Sequence, residues 1–300
     1  MTRIACCQLT VQPADPAGNG ARATAAASAA VAAGAQLVVL PETATSGLPF
    51  ADRAEALASA LRPDDPLLDR WAEVVRGRDA VLVVGFAELG GSDADPAGDR
   101  PIFNSAALFD GSGLRGIYRK THLWDQEKLF FAPGSQPPPV FDTALGRIGV
   151  AICYDIEFPE LTRSMALAGA DVLAVPTAWP VVPHPADEPT PEVVIAKAAA
   201  RVNRMAIATC DRTGSTRGQD WTGGTVVIGP DGWVAALPGE DDVAVAEVDL
   251  TLARDKTLTP LAHLFDDRRP ELYAEVAALT RREASGPDEP AGPGVVQPSV

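Results

Sequence analysis

The stretch RIGVAICYDIEFPE, residues 147–160, decides the fold. It begins with an apolar run typical of a buried strand, reaches Cys153, and then turns toward a helix that starts near Pro159. This order predicts a thiol at the carboxyl edge of a sheet, where α/β proteins usually carry their chemistry. The positive end of the helix points back toward the turn, so the helix is also expected to help stabilise a thiolate.

Short apolar segments like this one recur along the chain, and several are apolar enough to be strands buried on both faces. Predicted strands lie at 3–9, 36–40, 80–86, 102–109, 147–152, 171–175, 205–209, 222–228 and 243–248. Predicted helices lie at 20–33, 65–76, 159–168 and 191–203. Some strands are joined by helices and others by tight turns, which indicates an α/β fold of two packed sheets covered by helices.

Two charged residues also follow apolar strands. Glu42 lies in VVLPETATSG, and Lys120 lies in GIYRKTHLW. Amide cleavage by a thiol needs a base for its proton, and Glu42 in a dry pocket is the candidate. The oxyanion needs donors, and Lys120 and the backbone N–H of Tyr154 are the candidates; one such donor is worth roughly 3–4 kcal/mol. Water then attacks the thioester, with Glu42 again as the base.

Composition and motifs narrow the function. A net charge of −15 argues against a general binder of nucleic-acid backbones. The four cysteines form no CxxC pair and the three histidines lack metal spacing, so we expect no disulfide framework and no metal. GSGLRG, residues 111–116, fits GxGxxG but lies between two strands, which predicts a hairpin turn. No signal peptide or stretch of about 18 apolar residues stands out, so we expect a cytoplasmic protein without membrane partners.

The three segments around the charged residues and the cysteine resemble the Glu–Lys–Cys signature of the nitrilase superfamily of carbon–nitrogen hydrolases. The motifs are LPET around Glu42, YRKTHL around Lys120 and GVAICYDIEFPE around Cys153, with a DRTG segment and GGTVVIGPDG further on. The resemblance implies a four-layer α-β-β-α sandwich, a homodimer or higher homo-oligomer, and neither a metal nor an organic cofactor. It also implies a second glutamate behind the lysine, for which Glu127 in EKLFFAPG is the candidate; the alternative is a surface acid in a loop.

The substrate is less determined. Members that bind carboxylate-bearing substrates often have Arg near the position of Glu157, so an acid here favours a neutral amide or one with a distal amine; the alternative for Glu157 is a structural salt bridge. CYDIEFPE is similar to the 5-aminopentanamidase and stereoselective amidase branch. The segment PTAWPVV, residues 176–182, makes Thr177 and Trp179 candidate pocket residues, with core packing as the alternative for Trp179. Nitrilases usually have Trp-Glu directly after the cysteine, and Tyr154 stands there instead.

The sequence therefore predicts a carbon–nitrogen hydrolase domain at 1–283 and a flexible or partner-contacting tail at 284–300. The predicted activity is hydrolysis of a small aliphatic or amino-substituted carboxamide to the carboxylate and ammonia through a cysteine thioester. An N-carbamoyl amine hydrolase and a nitrilase are alternatives within the family. An acyl-transferring amide synthase and a catalytically silent binding protein are alternatives of other classes.

Overall fold

Two six-stranded β-sheets form the centre of the fold in the computed structural model, which describes residues 1–91 and 100–274. The strands are β1 (Thr2–Cys7), β2 (Leu37–Val39), β3 (Val81–Leu89), β4 (Ile102–Asp110), β5 (Gly113–Arg119), β6 (Val140–Thr143), β7 (Gly146–Val150), β8 (Val172–Pro176), β9 (Ala206–Cys210), β10 (Ser215–Thr216), β11 (Gln219–Asp220), β12 (Val226–Ile228), β13 (Val234–Ala236), β14 (Val243–Val248), β15 (Thr257–Thr259) and β16 (Ala262–His263). The α-helices are α1 (Pro16–Ala32), α2 (Arg53–Ser59), α3 (Pro66–Val75), α4 (Pro159–Leu167), α5 (Pro191–Asn203) and α6 (Pro270–Tyr273).

The first sheet has the strand order β14-β1-β2-β3-β4-β5. β1, β2 and β3 are parallel, and the strands at both edges are antiparallel to their neighbours. α1 and α3 cover its outer face. Trp71 of α3 is fully buried there and meets Phe86 and Phe109 edge-to-face, at centroid distances of 6.4 and 6.3 Å.

The second sheet has the order β13-β12-β9-β8-β7-β6, with β7, β8 and β9 parallel. α5 packs on β9 and β12, and α4 lies beside α5 with Met165 against Gly149 of β7. The inner faces of the two sheets meet where β1, β2 and β3 contact β8 and β9. The layers are therefore helix, sheet, sheet and helix, which confirms the predicted four-layer α-β-β-α sandwich.

The carboxyl ends of strands from both sheets meet at one edge. The backbone N–H of Glu42, three residues after β2, donates to the carbonyl of Thr177 at 3.2 Å. The N–H of Thr177, directly after β8, donates to the carbonyl of Cys210 at the end of β9 at 2.8 Å. The first bond joins the two sheets and the second joins two strands of the second sheet, both where the sequence predicts the chemistry.

Most predicted elements are present, and the differences have local causes. α1 begins at Pro16 rather than Gly20, because the Asp15 side chain caps it by accepting from Gly18 N–H at 2.9 Å. GSGLRG contains the turn of the predicted β4–β5 hairpin, at residues 111 and 112, and its last four residues begin β5. The strand predicted from Thr222 is ordered as a strand only from Val226, since residues 222 and 224 bind a buried carboxylate instead of a neighbouring strand.

The described residues up to 257 form one compact unit, and residues 258–274 belong to a second. In the described part of the second unit, β15 and β16 pair and the short α6 follows. The predicted boundary at residue 283 and the tail at 284–300 lie outside the described residues and stay predictions. Across residues 1–91 and 100–274, no helix has the length and apolar character needed to cross a membrane.

Candidate active site

Glu42 is held at the sheet edge by close backbone packing. A Cβ on Gly85 of β3 would lie 2.6 Å from the Glu42 Cα and 2.6 Å from the Pro41 carbonyl oxygen. Real side chains do not tolerate such distances, so a glycine at 85 allows the segment carrying Glu42 to lie against β3. Thr43 has a positive φ of 45°, an uncommon conformation for a β-branched residue, and it completes this turn. The Glu42 side chain is fully buried as a result.

Lys120 follows β5 and lies between two carboxylates. Its Nζ is 2.7 Å from Glu42 Oε1, and 3.0 and 2.8 Å from the two oxygens of Glu127. The Asn104 side-chain amide donates to both carboxylates, at 2.6 Å to Glu42 and 2.9 Å to Glu127. All four side chains are buried. Burial opposes the charge on Lys120, but Cys153 and the two glutamates raise its pKa well above the ordinary value.

Glu127 lies in a 3-10 helix, Asp125–Leu129, rather than in a surface loop. Its Oε2 also accepts the backbone N–H of Trp124 at 2.7 Å, which fixes its orientation toward Lys120. Burial and the neighbouring Glu42 raise the pKa of Glu127 to about 7, against the opposing effect of Lys120. The structure thus brings together Glu42, Lys120 and Glu127, as the sequence predicts.

One oxygen of this cluster has no partner. Glu42 Oε1 accepts from Lys120 and Asn104, whereas its Oε2 is buried and has no hydrogen-bond partner among the described residues. A buried carboxylate oxygen normally finds a donor, so an open one indicates a position for chemistry.

Cys153 is held in a strained turn next to this cluster. It is the first residue of a 3-10 helix, Cys153–Glu157, and has a φ of 49°, in the left-handed region. The side chain is buried, and the backbone N–H of Ala178 lies near enough to its sulfur to lower the pKa of the thiol. Burial and the nearby Glu42 raise the pKa of the thiol, and Lys120 and the Ala178 N–H only partly offset this rise. The expected stabilisation of a thiolate by the helix is therefore outweighed, and a resting thiol needs a base.

Asp155 connects the cysteine turn to the lysine loop. This fully buried carboxylate accepts from the N–H of Ile152 at 3.0 Å and from the Tyr118 hydroxyl at 2.8 Å. It also accepts from the N–H of His122 at 3.1 Å, and His122 Nδ1 lies 2.8 Å away. His122 is thus a structural hydrogen-bonding residue, as predicted.

A cavity of about 120 Å³ opens onto Cys153 and Glu127. Its other lining residues are mostly apolar or aromatic: Leu48, Pro49, Phe50, Trp124, Phe130, Ala178, Pro180 and Trp221, with Asp125, Gln126 and Gln219 as the polar ones. This volume is well below the roughly 300 Å³ at which pockets for drug-sized ligands begin, so it suits a small molecule.

The four candidate substrate-binding residues lie around this cavity rather than in its lining. Thr177 and Trp179 are buried, and Ala178 and Pro180 line the cavity instead. The reason is that successive side chains of an extended segment point to opposite sides, so the lining residues are one position out of phase with the prediction. Tyr154 is half-buried and meets Trp124 and Phe158 edge-to-face.

Glu157 has no ion pair among the described residues, so the structural salt bridge considered for it is not found there. Its side chain is half-buried, and its pKa is raised by burial and by the neighbouring Glu192, with Lys120 acting in the opposite direction.

Three sets of buried polar side chains were not predicted from the sequence. They are Asn104, Asp155 in its role of connecting the cysteine turn to the lysine loop, and the pair Asp211 and Arg212. Asp211 accepts from the N–H groups of Trp179 and Gly224, and Arg212 is fully buried. A signal was present for Asn104, because it interrupts the apolar strand IFNSAALFD. The partners of these groups lie too far along the chain to be inferred from local patterns.

A buried thiol next to an open carboxylate oxygen and a lysine, at the edge of an α-β-β-α sandwich, defines a cysteine-dependent hydrolase. Residues 3–256 match the model of the carbon-nitrogen hydrolase family. The chain therefore belongs to that family and is an enzyme acting on non-peptide carbon–nitrogen bonds.

Individual relatives agree with this assignment. The chain is 35% identical to a nitrilase of Pyrococcus abyssi, with 91% of this chain and 99% of the relative covered. It is 34% identical to an (R)-stereoselective amidase of a Pseudomonas species, with 83% and 85% covered. An amidase of a Nesterenkonia species has the same fold, with a TM-score of 0.71, 30% identity, and 92% and 100% covered. Other structures of that amidase hold butyramide, or acrylamide added at the active-site cysteine.

Proposed function

We propose that the protein is an amidase that hydrolyses short carboxamides to the carboxylate and ammonia through a thioester on Cys153. The observation that carries this proposal is the open Oε2 of Glu42 in the buried cluster beside Cys153. A thiol whose pKa is raised by burial is a poor nucleophile until a base takes its proton. Glu42 has one carboxylate oxygen free for that proton and a second one fixed by Lys120 and Asn104.

Acylation then proceeds in two steps. The Cys153 sulfur attacks the amide carbon as its proton passes to Glu42, and the carbonyl oxygen becomes an oxyanion. Lys120 and the backbone N–H of Tyr154 donate to that oxyanion. The intermediate collapses as Glu42 returns the proton to the leaving nitrogen, the C–N bond breaks, ammonia departs and the acyl group remains on sulfur.

Deacylation reverses the proton movements. Water attacks the thioester carbon while Glu42 accepts its proton. The C–S bond then breaks as Glu42 returns that proton to sulfur, which restores the thiol of Cys153 and the Glu42 carboxylate and releases the carboxylic acid. Glu127 holds Lys120 throughout, because its two oxygens lie 3.0 and 2.8 Å from the ammonium. Its role is therefore to position the lysine and, in the family's manner, the leaving amine.

The cavity supports a preference for neutral or amino-substituted amides. Among the described residues, its lining contains Asp125 and Glu127 but no Lys, Arg or His. A substrate carboxylate would find no cation in this lining, and the nearby Lys120 is already paired with Glu42 and Glu127, so carboxylate-bearing amides are disfavoured. Glu157, close enough to Lys120 for their charges to interact, adds negative potential and is the proposed partner of a distal amine. We expect the enzyme to hydrolyse 5-aminopentanamide faster than an ω-amidic acid of similar length. The opposite order of rates would contradict this charge preference.

The relatives support amide hydrolysis. The Pseudomonas relative is named an amidase, and the Nesterenkonia enzyme has been captured with butyramide and with acrylamide at its cysteine.

The experiment compares wild type, Cys153→Ala and Cys210→Ala on acetamide, propionamide, butyramide, an N-carbamoyl amine and propionitrile, with ammonia release and intact-protein mass as readouts. Cys210 is a matched control, because it is also a buried cysteine but does not line the cavity. We expect ammonia from the simple amides and an acyl adduct in wild type and Cys210→Ala, and neither in Cys153→Ala. Full ammonia release by Cys153→Ala, or turnover of only the carbamoyl amine or the nitrile, would overturn the proposal.

We also propose that the enzyme is a cytoplasmic homodimer. Four free cysteines are expected in a reducing compartment. Leu167 of α4 and Val194 and Val202 of α5 are exposed on the outer helical layer, which suits a partner subunit. Light scattering at micromolar concentration tests this, and a stable monomer would count against it.

A further inference from the structure

One side of the cavity is built by a short hairpin. β10 and β11 pair through a two-residue turn in which Arg217 and Gly218 both have positive φ, of 53° and 82°. This is the turn that matches the twist of paired strands and holds a two-residue hairpin in register. Gln219 of the hairpin and Trp221 directly after it line the cavity. We call residues 215–221 the cavity hairpin.

The ring of Trp221 is fixed on two sides. Its Nε1 donates to Thr216 Oγ1 at 3.3 Å, and the Arg212 guanidinium carbon lies 4.4 Å from the ring centroid. Arg212 Nη2 also donates to Thr216 Oγ1, at 3.1 Å. Arg212 is itself fully buried and is held by the carbonyls of Val11 and Leu48, so the surface under the indole is rigid.

The backbone of Trp221 is tied to the segment beside the thiol. Its N–H donates to the carbonyl of Gly214 at 3.0 Å, and it forms an antiparallel bridge with Pro180. The next N–H, of Thr222, donates to the carbonyl of Trp179 at 3.0 Å. Ala178, one residue before Trp179, lines the cavity together with Cys153. The distance from the reacting sulfur to the indole is therefore set by a short run of ordered backbone.

A second segment of the cavity lining is fastened to the same hairpin. Arg217 Nη1 donates to the carbonyl of Pro49 at 2.9 Å, and the two guanidinium nitrogens pair with the two oxygens of Glu55 at 2.8 Å each. Pro49 and its neighbours Leu48 and Phe50 also line the cavity, and Trp221 packs against the apolar cluster that contains Leu48 and Phe50. The position of this segment relative to the hairpin is thus held by a bidentate ion pair as well as by packing.

We propose that Trp221 is the residue that limits the length and branching of the acyl group, and that Arg212 and Thr216 are positioning residues for its ring. The proposal rests on the amidase function above and adds the determinant of acyl size. A small cavity with a fixed aromatic wall discriminates by exclusion, and one methylene in such a pocket is worth roughly 10-fold or more in kcat/KM.

The test measures kcat/KM for acetamide, propionamide, butyramide, hexanamide and 2-methylpropanamide with wild type, Trp221→Ala, Trp221→Phe and Trp233→Ala. Trp233 is the matched control, because it is exposed and lies outside the cavity lining. We expect Trp221→Ala to raise the hexanamide-to-propionamide ratio by about 10-fold or more. Trp221→Phe should give a smaller rise, and Trp233→Ala none.

The Thr216→Val variant distinguishes a loss of Trp221 positioning from a general loss of protein structure. The substitution keeps the volume but removes the oxygen that holds both Trp221 and Arg212. A looser indole should raise the same ratio, mainly through a higher KM for propionamide with a smaller change in kcat. Loss of structure alone would reduce activity on all amides equally and leave the ratio unchanged.

The outcomes are distinct from those that test the amidase function. A wild type inactive on every amide would overturn the proposed function. An active Trp221→Ala enzyme whose ratio stays within twofold of wild type would leave that function intact and overturn the role of Trp221. If Trp221→Ala does not fold, Trp221→Phe decides.

Discussion

Two buried carboxylates on opposite faces of the first sheet use charged partners that are neighbours in sequence. Glu88 pairs with Arg119, whose Nε lies 3.1 and 3.0 Å from its two oxygens. Glu42 pairs with Lys120 at 2.7 Å. Both glutamates are almost completely buried. Residues 119 and 120 serve different clusters because side chains at the end of a strand alternate between its faces.

The clusters differ in how completely they are satisfied. Both oxygens of Glu88 have donors, the second from Ser105 Oγ at 2.6 Å, whereas Oε2 of Glu42 has none among the described residues. A fully satisfied buried pair holds the sheet together, and an unsatisfied one keeps an acceptor for a proton. The comparison indicates that saturation of the carboxylate, rather than burial or charge, separates the structural cluster from the reactive one.

Removing the two carboxylates gives the largest contrast. Glu42→Gln removes the base of both chemical steps, and we expect kcat to fall by about 10⁴-fold. Glu88→Gln leaves the base intact and should lower stability while kcat changes little. Ammonia release under saturating propionamide, with urea denaturation of both variants, measures this. Equal losses of kcat would show that the two faces are not functionally separate.

The adjacent cations sharpen the contrast in stability. Lys120→Gln leaves Glu42 and Glu127 facing each other without their shared cation, and breaking a buried pair typically costs about 3–5 kcal/mol. Arg119 is about two-fifths exposed, so water can partly replace it and Arg119→Gln should cost less. Denaturant midpoints of the two variants at neutral pH measure this difference. A larger loss of unfolding free energy for Arg119→Gln than for Lys120→Gln would contradict the expectation.

The raised pKa of Glu127 gives a dependence of stability on pH. The folded state holds its proton up to about pH 7, whereas an ordinary glutamate releases it near 4.5. The folded state therefore binds more protons between these values, and the unfolding free energy contributed by this group falls as pH rises from about 4.5 to 7. Glu127→Gln lacks that decline, so its stability relative to wild type should improve between pH 5 and pH 8. Parallel curves for the two proteins would argue against a raised pKa.

The smallest expected contrast concerns Asn104 and Ser105, adjacent residues whose neutral side chains donate to Glu42 and Glu88, respectively. Asn104→Ala removes a hydrogen bond to Glu42 and one to Glu127, and a loss of about 1 kcal/mol in transition-state positioning corresponds to about a fivefold fall in kcat. Ser105→Ala should cost a similar free energy of unfolding without changing kcat. Steady-state kinetics and thermal melts of the pair test this, and a kcat effect for Ser105→Ala would break the distinction.

Local sequence carried much of the fold. α3, α4 and α5 lie within a residue or two of their predicted bounds, because their apolar spacing and N-terminal prolines are local signals. α2, of seven residues, and β6, of four exposed or half-buried residues, were not predicted. Their sequences are too short to show a period, and their order depends on neighbours in the tertiary structure.

The residues of the candidate site also fall into those that local sequence predicts and those that only the tertiary structure places. Cys153, Glu42 and Lys120 each end a strand, so their position at one sheet edge follows from the sequence. The choice of Ala178 and Pro180 over Trp179 for the cavity wall depends on the phase of one extended segment, which local patterns do not give.

The sequence by itself determined the strands, the layers and the three residues at the carboxyl edge, since alternation and strand ends are properties of neighbouring residues. Only the tertiary structure decided which carboxylate keeps a free oxygen, because the donors that satisfy Glu42 lie 62 and 78 positions away. It also decided the shape of the cavity, whose lining comes from five separate segments of the chain. Hydrogen-bond saturation and cavity shape are sums over such distant contacts, and they exist only once the two sheets have packed.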